Sequence, residues 1–324
     1  MNRPQIVLHI GTHKTGTSAL QAALDGSREH LLQRGVLYPD TRRPPWPELP
    51  KHCSVYQAAA HGSADEQARE RDALLSEWQA SRAHTLLISE EGLSEPDEKI
   101  PEFFAPWAAQ HDLVVICLLR RQDLFVEALF NQFVREAARR EPRPLLTFAR
   151  GQATRARLDY HGLLSRWAAI GARVVAIDFD GAQVRENGLM TTFDAALAHA
   201  TGRELLALPE RRANSSPDMR LALLLNRLNR QRIAYELAPL LQATRGLMHQ
   251  GLPPLRHLLG RDERRRLLAD VGASNERLAA DFGISFSREL PQEPSCATED
   301  LDPGFTLQLL ASLTHSPSRP SVPS

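Results

Sequence analysis

The stretch from Ile6 to Leu20 constrains the fold more than any other. The β-branched apolar run IVLHI leads directly into Gly11-Thr12-His13-Lys14-Thr15-Gly16-Thr17-Ser18, and then into the helical pattern ALQAALDGSREHLLQ. Strand, glycine-containing loop and helix start stand in the order that a phosphate cradle requires. Its glycines let backbone approach an anion, successive N–H groups form an anion-binding concavity, and the helix N-terminus adds partial positive charge. Lys14 brings a full charge, and Thr15, Thr17 and Ser18 bring hydroxyls. The spacing GxxxxGx[ST] matches the loop of NTPases except that Thr17 follows the second glycine, where those proteins place lysine. That lysine reaches the β and γ phosphates, so its displacement to position 14 disfavours a triphosphate and favours another phosphate-bearing donor. A bare strand-to-helix turn capped by Thr15 or Thr17 is the plainer alternative, and a lysine among three hydroxyls weighs against it.

The runs Ile6–Ile10, Thr85–Ser89, Leu113–Leu119 and Arg173–Asp178 read as buried strands. Helix-length segments lie between them, at Ser18–Gln33, Ala64–Ser81, Asp123–Arg140 and Leu158–Ile170. The alternation predicts an α/β protein with a central parallel sheet and right-handed crossovers. RRPPWPELP, Arg42 to Pro50, holds too much proline for a helix or inner strand and reads as a surface loop. From Pro217 the strand signal vanishes, and helical patterns follow at Asp218–Arg245 and Asp262–Phe282 around a break at Gly251 to Pro254. The expected organisation is an α/β nucleotide-binding core over 1–216, a helical C-terminal section of the same domain over 217–290, and a mostly disordered tail over 291–324 with one apolar patch at Phe305 to Leu313.

With 324 residues, 42% of them hydrophobic, the chain can bury a proper core. Its 39 basic residues balance 39 acidic ones, so no sequence-wide field draws it to nucleic acid or anionic lipid, and any anion site is local. Cys53, Cys117 and Cys296 lack the spacing of a disulfide framework or a zinc site. No apolar run is long enough for a signal peptide or a transmembrane span, so the expected protein is soluble and cytoplasmic.

The segment HIGTHKTGTSALQ resembles the 5′-phosphosulfate loop of sulfotransferases that use 3′-phosphoadenosine 5′-phosphosulfate (PAPS), above all the bacterial carbohydrate-type group. That family's second signature is a strand ending in arginine followed by a helix with a serine eight residues on, which together hold the 3′-phosphate. In VVICLLRRQDLFVEALFNQ, Arg120 takes the arginine position, with Arg121 beside it, and Ala128 stands in place of the serine. Further similar stretches are ISEEGLS, LDYHGLLSRWAAIGARVVAIDFD, NGLMTTFDAAL and SNERLAADFG, which carry the resemblance to about Phe286.

The resemblance implies a P-loop-like three-layer fold and sulfuryl transfer from PAPS to an acceptor hydroxyl, on a glycan or glycolipid, without a metal. Lys14 would neutralise the transferring group and its bridging oxygen. Thr15, Gly16, Thr17 and Ser18 would hold the 5′-phosphate, and Arg120 would clamp the 3′-phosphate as a fork suited to it. The missing serine hydroxyl removes a hydrogen bond worth roughly 1 kcal/mol, for which Asn131 or Gln132 is a replacement. Candidates for the base are His52, after the proline-rich loop, and Glu90 and Glu91, after the strand TLLIS. The family's S-x-E pattern maps to Glu91. His9 and His13 read as strand and loop packing, and Tyr160 and Trp167 as core. Asn214, Ser215 and Ser216 suit either the 3′ side of the nucleotide or a helix cap. Competing expectations are a P-loop NTPase or small-molecule kinase, with Glu90 or Asp178 serving magnesium, and a non-catalytic nucleotide-binding scaffold.

Overall fold

The structure is a computed structural model, and it describes residues 3–42, 44–202, 204, 206–210, 218–291 and 303–314. In chain order the elements are β1 (Gln5–His9), α1 (Thr17–Gly26), α2 (Arg28–Gln33), β2 (Val36–Leu37), α3 (Cys53–His61), α4 (Ala64–Ser81), β3 (Thr85–Ser89), α5 (Lys99–Gln110), β4 (Asp112–Leu119) and α6 (Gln122–Arg135). There follow α7 (Leu145–Arg150), α8 (Gln152–Leu158), α9 (Tyr160–Ala169), β5 (Arg173–Asp178), α10 (Ala182–Asn187), α11 (Leu189–Thr201), α12 (Met219–Arg230), α13 (Leu237–His249), α14 (Arg261–Asp270), α15 (Gly272–Phe282) and α16 (Pro303–Thr314). No helix among the described residues is long and apolar enough to cross a membrane.

The chain divides into two compact units. One comprises 1–122, 156–214 and 270–288, and the other 123–155, 215–269 and 289–324. These boundaries differ from the linear division at 216, because segments distant in sequence pack together within each unit.

The first unit is an α/β sandwich. Its five strands are all parallel and run β2-β3-β1-β4-β5 across the sheet. Because both faces are covered, β1, β3 and β4 are apolar almost throughout rather than alternating. Residue parity still decides the partner. Ile6, Leu8 and Ile10 join a core built with α3, α4, α5, α9 and α15, which includes Trp78, Phe104 and Trp167, while Val7 joins α1, α2 and α11 through Leu20, Leu24 and Phe193. The result is three layers, helix, sheet and helix. Tyr160 and Trp167 are buried core residues, as expected.

The four expected strands form, and a fifth, β2, joins the edge; at two residues it is too short to register as an apolar run. The expected helix Ser18–Gln33 is interrupted at Ser27, whose N–H returns to Leu24 O at 3.1 Å. Gly26 and Ser27 are poor helix formers, which makes this the place to turn. Asp123–Arg140 stops at Arg135, and the next residues close a turn on Glu136 O that leaves Arg140 at φ +41°. Ala64–Ser81 holds as read, set by a capping box between Ser63 and Glu66.

The second unit is helical. Asp218–Arg245 divides into α12 and α13 because Arg232 adopts φ +56° and Ile233 N turns back to Leu228 O. Asp262–Phe282 divides at Val271 into α14 and α15, and α15 belongs to the α/β unit. Inside the helical unit, Phe148 packs against Phe130 and Phe133, and Arg220 pairs with Asp218 at 2.7 Å, both side chains buried. The apolar patch of the tail forms α16, which buries Phe305 and Leu309. Residues 292–302 and 315–324 of that tail, like Asn214, Ser215 and Ser216, lie outside the described residues.

Candidate functional site at the carboxyl edge of the sheet

β1 lies between β3 and β4, yet its chain leaves to one face through α1, whereas α5, which follows β3, and α9, which leads into β5, pack on the other. Such a switch opens a crevice beyond the carboxyl ends of the strands, where ligands bind in parallel sheets. Four segments end there: Gly11–Ser18 after β1, Glu90 and Glu91 after β3, Arg120 after β4, and Asp178 to Asp180 at β5.

The loop is anchored before it turns. Ile10 N donates to Ile116 O at 3.0 Å, and Thr12 gives both its N–H and its hydroxyl to Leu118 O, at 3.0 and 3.1 Å. Beyond this anchor Lys14 takes φ +68° and Gly16 φ +75°. A lysine in the left-handed region costs about 1–2 kcal/mol, and such strain collects where a loop presents its backbone to a ligand. Gly16 is demanded by space as well, since an added Cβ would meet Leu189 Cδ2 at 2.5 Å, and one at Gly11 would meet His9 Nε2 at 2.7 Å. Gly16 O then accepts from Ala19 and Leu20, starting α1. The hydroxyls are not equivalent: Thr15 is fully buried and donates to Thr12 O at 2.6 Å, Thr17 is buried, and Ser18 is exposed. Thr15 therefore offers an anion its backbone N–H rather than its hydroxyl proton.

Beside the loop lies a cluster centred on Lys51. Its Nζ is 3.1 Å from Glu90 Oε1 and 2.7 Å from Glu91 Oε1, and Gln21 on α1 donates to Glu91 Oε2 at 2.8 Å. Burial opposes the charge on Glu91, but Lys51 and then Gln21 overcome it and hold the carboxyl at about 2. Glu90 goes the other way: burial first, then the Glu91 charge, raise it above the ordinary carboxylate range. Its Oε1 also accepts from Gly92 N at 2.9 Å, while Oε2 is buried without a nitrogen or oxygen partner among the described residues. Burial and the Glu90 charge push the neighbouring Cys53 thiol up to about 12. Lys51 itself is raised by the two glutamates against its burial.

Sequence reasoning missed Lys51 and Gln21, although a signal was present. The chain contains only three lysines, Lys14, Lys51 and Lys99, among 39 basic residues, and two of the three stand at this edge.

His52 is occupied with structure. It is 2% exposed; Ser89 N donates to Nδ1 at 3.0 Å, and Nε2 faces Pro39 O at 3.3 Å. An Nδ1 that accepts and an Nε2 facing a carbonyl describe a neutral ring with its proton on Nε2 and no lone pair to spare. The ring ties the start of α3 to β3, which is the physical reason this histidine does not present itself as a base.

Arg120 stands at the crevice with Nε 3.1 Å from Asp180 Oδ2 and its guanidinium 5.6 Å from the centre of the Phe179 ring. The Tyr160 hydroxyl donates to Arg120 O at 2.7 Å, so this core tyrosine also fixes the backbone under the arginine. Arg121 donates to Ser287 O at 2.9 Å. Asp178 is raised by burial and by the Asp180 charge. Ala128 is half-buried on the part of α6 that belongs to the helical unit. Within that unit Asn131 donates to Met219 Sδ at 3.1 Å, and Gln132 donates to Glu136.

Of the two histidines of the β1 region, His9 packs in the strand as expected, and His13 does more. His9 is fully buried with Nδ1 2.7 Å from Ser89 Oγ, and burial lowers it to about 4, so it is neutral. His13 reaches from the loop to Glu95, Nε2 to Oε1 at 3.1 Å, and Arg157 holds Glu95 through Nε at 3.1 Å. Glu95, Arg157 and Asp180 carried no sequence signal, because each is brought to the edge by the fold. The chain matches no protein-family model and no curated protein sequence.

Proposed function

We propose that the protein is a PAPS-dependent sulfotransferase that moves a sulfuryl group to a hydroxyl of a glycan or glycolipid acceptor. The observation that carries this reading is the placement of Lys14. It stands in a strained left-handed conformation before Gly16, in a loop between a central parallel strand and a helix start, with Arg120 at the end of the adjacent strand β4. Two left-handed residues two positions apart, at Lys14 and Gly16, suit a loop that turns its N–H groups toward the 5′-phosphate of the donor. Lys14 supplies charge to the bridging oxygen, Thr15, Gly16, Thr17 and Ser18 supply the cradle and the helix N-terminus, and Arg120 serves the 3′-phosphate after exchanging Asp180 for it. Sulfuryl transfer needs in-line positioning and neutralisation of the leaving oxygen, both of which these groups provide without a metal. Free, buried Cys53 and Cys117 suit a reducing cytoplasm.

Glu91, the base that the resemblance suggests, is held at about 2 by Lys51 and Gln21 against its burial. It fits better as the anchor that fixes Lys51 beside the loop. The test is transfer of labelled sulfate from PAPS to a panel of glycans and glycolipids. The expected result is a labelled product that disappears in Lys14→Ala and Arg120→Ala; labelled product that persists in both variants, or no product together with magnesium-dependent ATP hydrolysis, contradicts the reading.

A further inference from the structure

Of the three groups at this edge that residue type offers as bases, two are engaged and the third is enclosed. His52 has no spare lone pair, Glu91 is fixed on Lys51 and Gln21, and Glu90 Oε2 is buried. His13 differs from them. Its side chain is 27% exposed, it is the chain neighbour of Lys14, and its Nε2 is committed to Glu95 at 3.1 Å. Burial works against the Glu95 charge, but His13 and Arg157 hold this carboxyl below the ordinary range, so it is an acceptor only. The shared hydrogen therefore sits on His13 Nε2, and in the neutral ring Nδ1 keeps its lone pair. Glu95 is itself fixed by Arg157, which contacts both carboxylate oxygens, and by its own N–H on Gly92 O at 3.0 Å. An imidazole with one nitrogen held by an anchored carboxylate and the other left as acceptor is the arrangement of an oriented general base. The charged groups facing it are Glu95, Arg157 behind Glu95, and Glu91.

We propose that His13 is the general base of the reaction and that Glu95 is its positioning residue, an assignment that rests on the sulfuryl-transfer reading above. The acceptor hydroxyl gives its proton to His13 Nδ1 as its oxygen forms the new bond to sulfur. The bond between sulfur and the 5′-phosphate oxygen breaks, and its electron pair leaves on 3′-phosphoadenosine 5′-phosphate, where Lys14 neutralises it. No change of oxidation state occurs, and His13 later releases the proton to solvent. A histidine in this loop thus places the base and the cation for the leaving group on adjacent residues.

The test uses the full chain, PAPS with water as acceptor, and two readouts: single-turnover release of sulfate at saturating PAPS, and the dissociation constant for 3′-phosphoadenosine 5′-phosphate. His13→Ala is expected to slow release roughly 100-fold or more, with the dissociation constant unchanged and part of the rate restored by added imidazole. Glu95→Gln is expected to slow release by a smaller factor, again without loss of affinity. Lys14→Ala gains nothing from imidazole. A His13→Ala enzyme with full rate, a rate that falls only in step with affinity, absence of imidazole rescue, or a wild type that binds the bisphosphate but releases no sulfate overturns the assignment. Absence of bisphosphate binding by the wild type instead removes the donor reading itself, so the two failures are distinguishable.

Discussion

Each unit holds a cation between two carboxylates, and the two clusters are finished differently. In the helical unit Arg264 meets Asp123 Oδ2 at 2.6 Å, Glu127 Oε2 at 2.8 Å and Leu259 O at 3.1 Å, with every one of these side chains 3% exposed or less. Glu127 Oε1 takes the N–H groups of Leu258 and Leu259, and Oε2 also meets His257 Nδ1 at 3.0 Å. In the α/β unit Lys51 meets Glu90 and Glu91, but the lysine is 19% exposed, Glu91 14%, and Glu90 Oε2 has no nitrogen or oxygen partner among the described residues. A saturated buried network specifies structure, whereas one left open beside a crevice has capacity to interact. The polar cluster with more ideal geometry is thus the one to read as scaffold.

The largest expected effect tests the closed cluster. Arg264→Met leaves Asp123 and Glu127 without their cation and is expected to destabilise the helical unit by about 3–5 kcal/mol, read as a fall in its thermal midpoint. A change below about 1 kcal/mol would show that the network is not what holds these helices.

Lys51→Met is expected to cost less, about 2 kcal/mol at neutral pH, because the open cluster is partly solvated. Its pH dependence has a definite sign. Without Lys51, burial is expected to raise both glutamates above their unfolded values, so that their contribution to stability is intact below the ordinary carboxylate range and is lost as pH rises through the raised values. The variant should therefore approach wild-type stability on acidification. In the wild type Glu91, held at about 2, behaves oppositely, and its contribution is present above the ordinary range and lost as pH falls toward 2. Thermal midpoints measured across pH for both proteins would expose the crossing trends; parallel curves would count against the account of this cluster.

A smaller effect separates strain from fold. Lys14→Gly relieves a left-handed lysine at φ +68° and is expected to stabilise the α/β unit by about 1 kcal/mol, while affinity for 3′-phosphoadenosine 5′-phosphate falls. Stability and binding moving together would argue that Lys14 is structural. The smallest effect concerns Arg120: Asp180→Asn removes the partner that a phosphate would displace and is expected to tighten bisphosphate binding by up to about fivefold. Weaker binding would mean that Asp180 orients Arg120 for the ligand rather than competing for it.

What could be read from the chain follows from the range of the forces involved. The strand–loop–helix at Ile6 to Leu20 is a local pattern, and its glycines and hydroxyls are where the spacing puts them. The parallel sheet was legible because strands buried on both faces must be apolar. By contrast, β2 is defined only by its pairing with β3, and the helix breaks at Ser27, Gln231 and Val271 depend on where the chain must turn. The same holds at the site. Lys14 and Arg120 stand on elements with clear sequence signatures, whereas Lys51 finds Glu90 and Glu91 across about forty residues, and His13 finds Glu95 across about eighty, distances at which no periodicity informs. His52 shows the converse, since residue type and proximity to a loop suggested chemistry that its two hydrogen-bonded ring nitrogens do not offer.

The Gly11–Ser18 loop and Arg120 are proposed to hold a nucleotide with phosphates at both its 5′ and 3′ positions. Calorimetric titration of 3′-phosphoadenosine 5′-phosphate into the full chain, without magnesium, tests it most directly. The account predicts binding that weakens roughly 10- to 100-fold in Lys14→Ala and again in Arg120→Ala, the scale of losing a hydrogen bond to a charged group. No binding, binding indifferent to both substitutions, or a preference for ATP that appears only with magnesium would contradict it.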